Sequence, residues 1–363
     1  MRKLLVLIAG VGLVAGACAS EGGSKAAPRA NTSSTAVAAD PAKVPAAPSA
    51  GCGKAALAAS SGETKQTATM AVSTQPVAPG EAERWWFRHV PPAHDGRTPV
   101  PLVLDLHGYA EGATIHQGTS GLGPFGDAHG FATVTPQGQG PVARWDTTLG
   151  STDLTFVGLL LDLTEQQLCI DRNRVFATGY SNGAFMTSAV ACQFSDRIAA
   201  VAPIAGVRAI KGCKPTRAVP IVAFHGTDDG FVSYDGGLGE KALDLPAPDG
   251  SGRKMRDTLS SDQLKATASA KESVPEIMAA WAKRNGCPAG HTETRVAVDV
   301  TKFTYDCPAA GASILYRVTG GGHAWPGSPG SAALVGIVGP TTMSINANEI
   351  MWKFFVAHPL PPR

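Results

Sequence analysis

An α/β architecture, with a mainly parallel central sheet and helices on both faces, is what this sequence predicts. Three observations carry it. Apolar runs such as VPLVLDL (100–106) and RVFATGY (174–180) alternate with segments whose apolar residues recur at helical spacing. Those runs are apolar at nearly every position, as strands buried between two helix layers must be. A Gly-x-Ser-x-Gly turn, residues 179–183, joins one such strand to an apolar helix.

Along the chain, residues 84–90 (RWWFRHV), 100–106 and 131–135 read as the first three strands. Residues 154–168 carry Leu154, Val157, Leu160, Leu161 and Leu168 at helical spacing, with Thr164 as a gap in the stripe. A strand over 174–180 and a helix over 182–193 follow, then strands over 198–204 and 219–224. A helix over 274–284, a strand over 314–318 and an amphipathic helix over 347–356 complete the order. Residues 233–273 are mainly polar, with Gly, Pro, Asp and Lys throughout. A loop this long is expected to be an insertion near the functional site.

The first residues stand apart from the fold. Arg2 and Lys3 precede a short apolar run, 4–14, and small residues lead to Cys18. This is an export signal rather than a membrane span, which would need about 20 apolar residues. Residues 14–18 (VAGAC) resemble a bacterial lipobox, which makes Cys18 the expected lipidation site and 1–18 the signal segment. Residues 19–50 are Ala, Ser, Pro and Thr with few large apolar side chains, and read as a disordered tether. The catalytic domain is expected from 51 to 363. With a net charge of +2 and no basic block longer than two residues, nothing in the sequence suggests an electrostatic grip on nucleic acid.

Six cysteines remain beyond Cys18, an even number that suits disulfides in an exported chain. No C-x-x-C or H-E-x-x-H occurs, so no metal site is expected. If strand 174–180 climbs the sheet and helix 182–193 returns, Cys169 and Cys192 both end near the bottom and can pair. Cys287 and Cys307 can close a small hairpin-like excursion. Cys52 and Cys213 are left for each other.

The chemistry centres on Ser181. A strand–turn–helix with Gly179 and Gly183 around a serine is the context of a nucleophile elbow, where the hydroxyl projects at a helix N-terminus. A serine needs a base, and on such a sheet an acid and then a histidine follow it in the chain. Residues 222–229 (VAFHGTDD) place Asp228 and Asp229 just past a strand. Residues 320–326 (GGGHAWP) place His323 in a glycine-rich loop after another. His225 precedes the acid and is expected to steady its own loop. His89, His94, His116, His129, His291 and His358 are expected in surface or packing roles. Two backbone N–H groups should form an oxyanion hole: Asn182, after the nucleophile, and Tyr109, in the His107-Gly108-Tyr109 loop after strand 100–106.

These motifs together resemble the polyhydroxybutyrate depolymerase and feruloyl esterase families of α/β-hydrolases. The resemblance covers residues 51 to the C-terminus and rests on VLDLHG, CIDRNRVFATGYSNG, VAPIAGV, FHGTDD and GGGHAWPG. It implies an α/β-hydrolase fold, Asp229 rather than Asp228 as the acid, and His323 as the base. Three departures stand out: Ala184 replaces a second glycine, Asp105 puts a charge in a strand that is usually apolar, and the 233–273 stretch is longer than the resemblance leads one to expect. The implied activity is hydrolysis of a carboxylic ester through an acyl-serine, without metal or organic cofactor. No protein partner is implied, and a membrane is reached only through the lipid. Trp325 and Trp145 are expected at the mouth of the site, where an indole would favour feruloyl or other aryl esters of polysaccharide over polyhydroxyalkanoate. Acyl transfer, and a non-catalytic binding lipoprotein on the same fold, are the alternatives.

Overall fold

In the computed structural model, which describes residues 44–55, 63–73, 82–268 and 272–361, the apolar runs pair in parallel. The chain forms β1 (Thr64–Thr69), β2 (Glu83–His89), β3 (Val100–Leu106), α1 (Gly112–Ser120), α2 (Leu122–His129) and β4 (Ala132–Pro136). It continues through α3 (Thr152–Gln167), β5 (Ile170–Tyr180), α4 (Asn182–Gln193), β6 (Val201–Ile204), β7 (Ile221–Gly226), α5 (Glu240–Leu243), α6 (Ser261–Ala268) and α7 (Val274–Arg284). It closes with β8 (His291–Arg295), β9 (Val300–Tyr305), β10 (Ser313–Val318), α8 (Pro329–Ala333), α9 (Val335–Val338) and α10 (Ala347–Val356). The sheet order is β1-β2-β4-β3-β5-β6-β7-β10-β9-β8. The six strands from β4 to β10 are parallel, and antiparallel strands extend both edges.

Alternation along the central strands builds two cores. Leu102, Leu104 and Ala177 face Leu160, Met186 and Trp281, beneath α3, α4 and α7. Val103, Phe176 and Phe224 face the other way, onto Met351 and Phe355 of α10. Phe176 and Phe355 stack with centroids 4.6 Å apart. With both faces covered, no strand position between them needs to be polar. Because the strands run in parallel, the loops after β3, β5, β7 and β10 emerge along one edge, where such sheets carry their sites.

Two expectations about boundaries and crosslinks are corrected. The domain begins before residue 51. Val44 is buried, Ala47 N–H donates to Asp171 Oδ1 at 2.9 Å, and Ser49 Oγ donates to Leu168 O at 2.7 Å. The last residues assigned to the tether therefore belong to the fold. The signal segment, Cys18 and the tether up to residue 43 lie outside the described residues.

The disulfides are Cys52–Cys169, Cys192–Cys213 and Cys287–Cys307. Only the last is as expected, and it closes the β8–β9 hairpin. Neither the expected Cys169–Cys192 link nor Cys52–Cys213 forms. The error was in the length of β5, which starts at Ile170 and carries a register shift opposite Val100/Leu102. Strand β5 therefore climbs about 30 Å, whereas α4 returns only about 17 Å by Cys192. Cys169 lies deeper than Cys192 can reach and bonds the N-terminal segment instead.

The Cys52–Cys169 bond closes 117 residues, against 20 for Cys287–Cys307. Loop-closure entropy then assigns about 5 kcal/mol to the first and about 3 kcal/mol to the second. Calorimetry of the Cys52→Ser/Cys169→Ser and Cys287→Ser/Cys307→Ser pairs should show the larger fall in Tm for the former. The reverse order would mean that residues 44–54 add little to the fold.

Residues 233–273 contain α5, a 3-10 turn at Met255–Asp257, and α6. Tyr109 Oη donates to Pro246 O at 2.8 Å, and Lys241 Nζ donates to Ile337 O at 3.0 Å. The insertion thus touches both the loop after β3 and the segment that follows His323.

Candidate active site

Ser181 ends the climb of β5 and caps α4 with φ 57° and ψ −118°. A non-glycine residue held at positive φ costs of order 1–3 kcal/mol and persists where its surroundings enforce it. Ala110 (φ 58°) and Ala205 (φ 54°) also hold a positive φ, and both lie in loops at the same sheet edge. The tightness of the elbow is visible at Gly183, where a Cβ would lie 2.0 Å from Leu106 O. Ser181 is half-buried, and its N–H is held by Ile204 O at 3.0 Å.

His323, in the loop after β10, is buried between the rings of Tyr180 and Phe231, 4.8 and 4.9 Å from its own. Its carbonyl accepts from Tyr180 Oη and its N–H donates to Val338 O. His323 Nδ1 lies 2.7 Å from Asp229 Oδ2. A carboxylate at Nδ1 selects the Nδ1–H tautomer and leaves Nε2 free to accept a proton. Asp229 Oδ1 accepts the N–H groups of Phe231 and Val232 at 2.8 and 2.9 Å, and His225 Nε2 lies 3.3 Å from Oδ2. Burial would raise the Asp229 pKa. His323, together with hydrogen bonds from both histidines, holds it well below the usual carboxylate range instead. Asp228, by contrast, is exposed, and its carboxylate accepts from Thr227 Oγ1 at 3.0 Å. His225 also reaches Val232 O at 2.8 Å, so it steadies its own loop as expected.

The loop after β3 lies against the elbow. A Cβ at Gly108 would be 3.4 Å from Ser181 Cβ. Among the described residues, neither the Tyr109 N–H nor the Asn182 N–H has a protein acceptor, and no hydrogen bond joins Ser181 Oγ to His323. Catalytic contacts of this kind often tighten only when substrate binds. A pocket of about 930 Å³ opens beside the same loop, lined by Trp85, Gln137, Gln139, Arg144 and Asp146 among others, and does not include Ser181.

Both tryptophans expected at the mouth are elsewhere. Trp325 is 1% exposed, donates from Nε1 to Asn348 Oδ1 at 2.9 Å, and meets His116 edge-on. Trp145 is 3% exposed and donates from Nε1 to His107 O at 2.9 Å, while its N–H reaches Asn182 Oδ1 at 2.7 Å. Each indole has a buried N–H that must find an acceptor, and each finds one inside a loop that it braces. Neither presents a face to substrate. Trp325→Ala should therefore cost about 3–5 kcal/mol of stability and leave the ratio of kcat/KM between aryl and alkyl esters unchanged. A changed ratio at unchanged Tm would restore a substrate contact.

His116 is the other correction. It is fully buried and ion-paired with Asp105 and Glu111 rather than in a bland packing role. The odd charge of Asp105 in an apolar strand was the signal, because a buried carboxylate needs a cationic or hydrogen-bonding partner.

No protein-family model matches the chain. It is 27% identical over 244 residues to feruloyl esterase B of Piromyces equi, covering 64% of this chain and 41% of that protein. It is 26% identical over 297 residues to feruloyl esterase D of Neurospora crassa, covering 78% and 84%. Over 129 residues it is 35% identical to poly(3-hydroxyalkanoate) depolymerase C of Paucimonas lemoignei, covering 33% and 30%. The chain thus spans less than half the length of two of these three relatives. Among solved structures, acetyl xylan esterase from Aspergillus awamori superposes with a TM-score of 0.50 at 15% identity, covering 81% of this chain and 99% of that one. That likeness and the sheet order establish the α/β-hydrolase fold.

Proposed function

We propose that the protein is an exported serine esterase acting on carboxylic esters of polysaccharide. The observation that carries this reading is the Asp229–His323 pair at the sheet edge that also bears Ser181 in its strained elbow. Ser181 Oγ attacks the ester carbonyl and gives its proton to His323 Nε2, while Asp229 stabilises the imidazolium. The tetrahedral oxyanion is held by the Tyr109 and Asn182 N–H groups. His323 then protonates the leaving alcohol. Water, deprotonated by His323, cleaves the acyl-serine and regenerates Ser181. Every step uses side chains and backbone of this chain.

The polysaccharide ester is supported by relatives named feruloyl esterase and by the fold of an acetyl xylan esterase, since the indoles no longer argue for an aryl acid. The depolymerase relative keeps a hydroxyalkanoate ester as the second reading. Measuring kcat/KM on methyl ferulate, acetylated xylan and a hydroxybutyrate oligomer decides between them. Preference for the oligomer overturns the polysaccharide assignment and leaves the serine esterase standing. Release of free acid, unchanged by an added sugar acceptor, distinguishes hydrolysis from acyl transfer.

Three disulfides suit an oxidising compartment outside the cytoplasm. Anchoring through a lipidated Cys18 rests on the lipobox-like VAGAC alone. Mature protein should then partition with membranes and carry the mass of a diacylglyceryl group. Full recovery in the culture supernatant, with an unmodified N-terminus, excludes the anchor.

A further inference from the structure

An ion cluster in which Asp105 and His116 are buried and Glu111 is partly so lies behind the loop that follows β3, and the reaction outlined above does not use it. His116 Nε2 is 2.7 Å from Asp105 Oδ1, and His116 Nδ1 is 3.0 Å from Glu111 Oε2. A ring with a carboxylate at each nitrogen is satisfied only as an imidazolium, because a neutral ring would aim a lone pair at carboxylate oxygen. Burial would lower the His116 pKa, but the two carboxylates raise it to about 10. Burial would raise that of Glu111, yet His116 and the two further hydrogen-bond donors, Thr119 and Gly108, bring it down to about 2. The remaining oxygens are also occupied: Ser120 Oγ donates to Asp105 Oδ2 at 2.7 Å, and Thr119 Oγ1 donates to Glu111 Oε1 at 2.5 Å.

One contact of this cluster leaves it. The Gly108 N–H donates to Glu111 Oε2 at 2.6 Å. On the other side of that residue, Gly108 O faces His107 Nδ1 at 2.7 Å. His107 Nε2 accepts the Gly138 N–H at 2.8 Å, which fixes the tautomer so that Nδ1 carries the proton and donates. Burial holds the His107 pKa down at about 4, so the ring stays neutral and keeps that tautomer. In a trans peptide the C=O and N–H point in opposite directions. Anchoring Gly108 O therefore fixes the direction of the Tyr109 N–H. Anchoring Gly108 N–H fixes the plane before it.

We infer that Glu111 and His116 are positioning residues that, with His107, lock the Gly108–Tyr109 peptide so that its N–H is aimed at the substrate oxyanion before substrate arrives. The oxyanion hole is then preorganised by buried charge rather than by a flexible glycine loop. This rests on the serine-esterase reading. The cluster acts through the backbone that carries the Tyr109 N–H, which meets a charge that exists only in the transition state, so its loss acts on kcat and not on KM. Glu111→Gln keeps the length of the side chain, but removes one of the two carboxylates that hold the imidazolium.

The test measures wild type, Glu111→Gln, His116→Gln and Thr119→Val on 4-nitrophenyl acetate, with Ser181→Ala as the control for the reading itself. An alkyl trifluoromethyl ketone, which forms a hemiketal with the serine, reports oxyanion binding. Glu111→Gln and His116→Gln should lower kcat about 10- to 100-fold, keep KM within about threefold, and raise the ketone Ki by the factor lost from kcat. Thr119→Val leaves both charges in place and should show a smaller change in the same direction, so it decides the matter if the other two do not fold. A wild-type kcat and ketone Ki in the folded variants overturns the inference, as does a rise in KM with kcat intact. Activity surviving in Ser181→Ala instead overturns the serine-esterase reading, and is a separate outcome.

Discussion

Ser181→Ala should fold normally and lose at least about 10³ in kcat. The fold is expected to survive for a local reason. The serine hydroxyl makes no hydrogen bond to protein among the described residues, so nothing buried is orphaned by its removal. The backbone does not object either, since Ala110 and Ala205 already hold φ 58° and 54° in this protein. The loss of rate comes from removing the atom that bonds to the acyl carbon. What remains should be the catalysis that an oxyanion hole and binding alone can supply. His323→Ala should be nearly as damaging, and the double variant little worse than either, because base and nucleophile act as one unit. Steady-state hydrolysis of 4-nitrophenyl acetate with Tm beside it reads all of this. Near wild-type turnover by a folded Ser181→Ala protein would remove the basis of the proposed mechanism.

The residues of this site were legible because each has a local signature. Gly179 and Gly183 bracket a serine between a strand and a helix, and the contact of Gly183 with Leu106 O is the reason a larger residue has no place there. Asp229 and His323 each follow a strand, and parallel strands deliver such loops to one edge. Helices α4, α7 and α10 begin and end where their stripes do. What escaped lacks a pattern of its own. Helices α1 and α2 read GATIHQGTS and LGPFGDAH, and α1 buries His116, Thr119 and Ser120 in place of an apolar stripe. Strand β8 (HTETR) is exposed along its whole length and exists through its pairing with β9. The first disulfide depended on how far β5 descends, and no periodicity marks where a buried strand with a bulge begins. The tryptophans failed for a different reason. An indole next to a catalytic loop can face substrate or brace the loop, and only the location of an acceptor for its N–H decides.

Asp229→Asn should lower kcat by about 10² to 10⁴, with both oxygens of Asp229 explaining why an isosteric change is so costly. Oδ1 accepts two backbone N–H groups and Oδ2 faces His323 Nδ1. An asparagine can satisfy only one side. If its amide nitrogen faces the backbone donors, three N–H groups crowd together and the loop from Asp229 to Val232 is displaced. If the nitrogen faces His323, it meets the Nδ1–H. The ring must then shift its proton to Nε2, where it can no longer accept one from Ser181. The first outcome costs stability, of order 1–3 kcal/mol for an unsatisfied buried group. The second costs only rate, and Tm separates the two. Asp228→Asn is the matched control, because the neighbouring carboxylate is exposed and should change kcat less than about twofold, as a surface substitution away from the reaction does. Loss of activity in Asp228→Asn with retention in Asp229→Asn would reassign the acid, and with it the direction in which His323 is held.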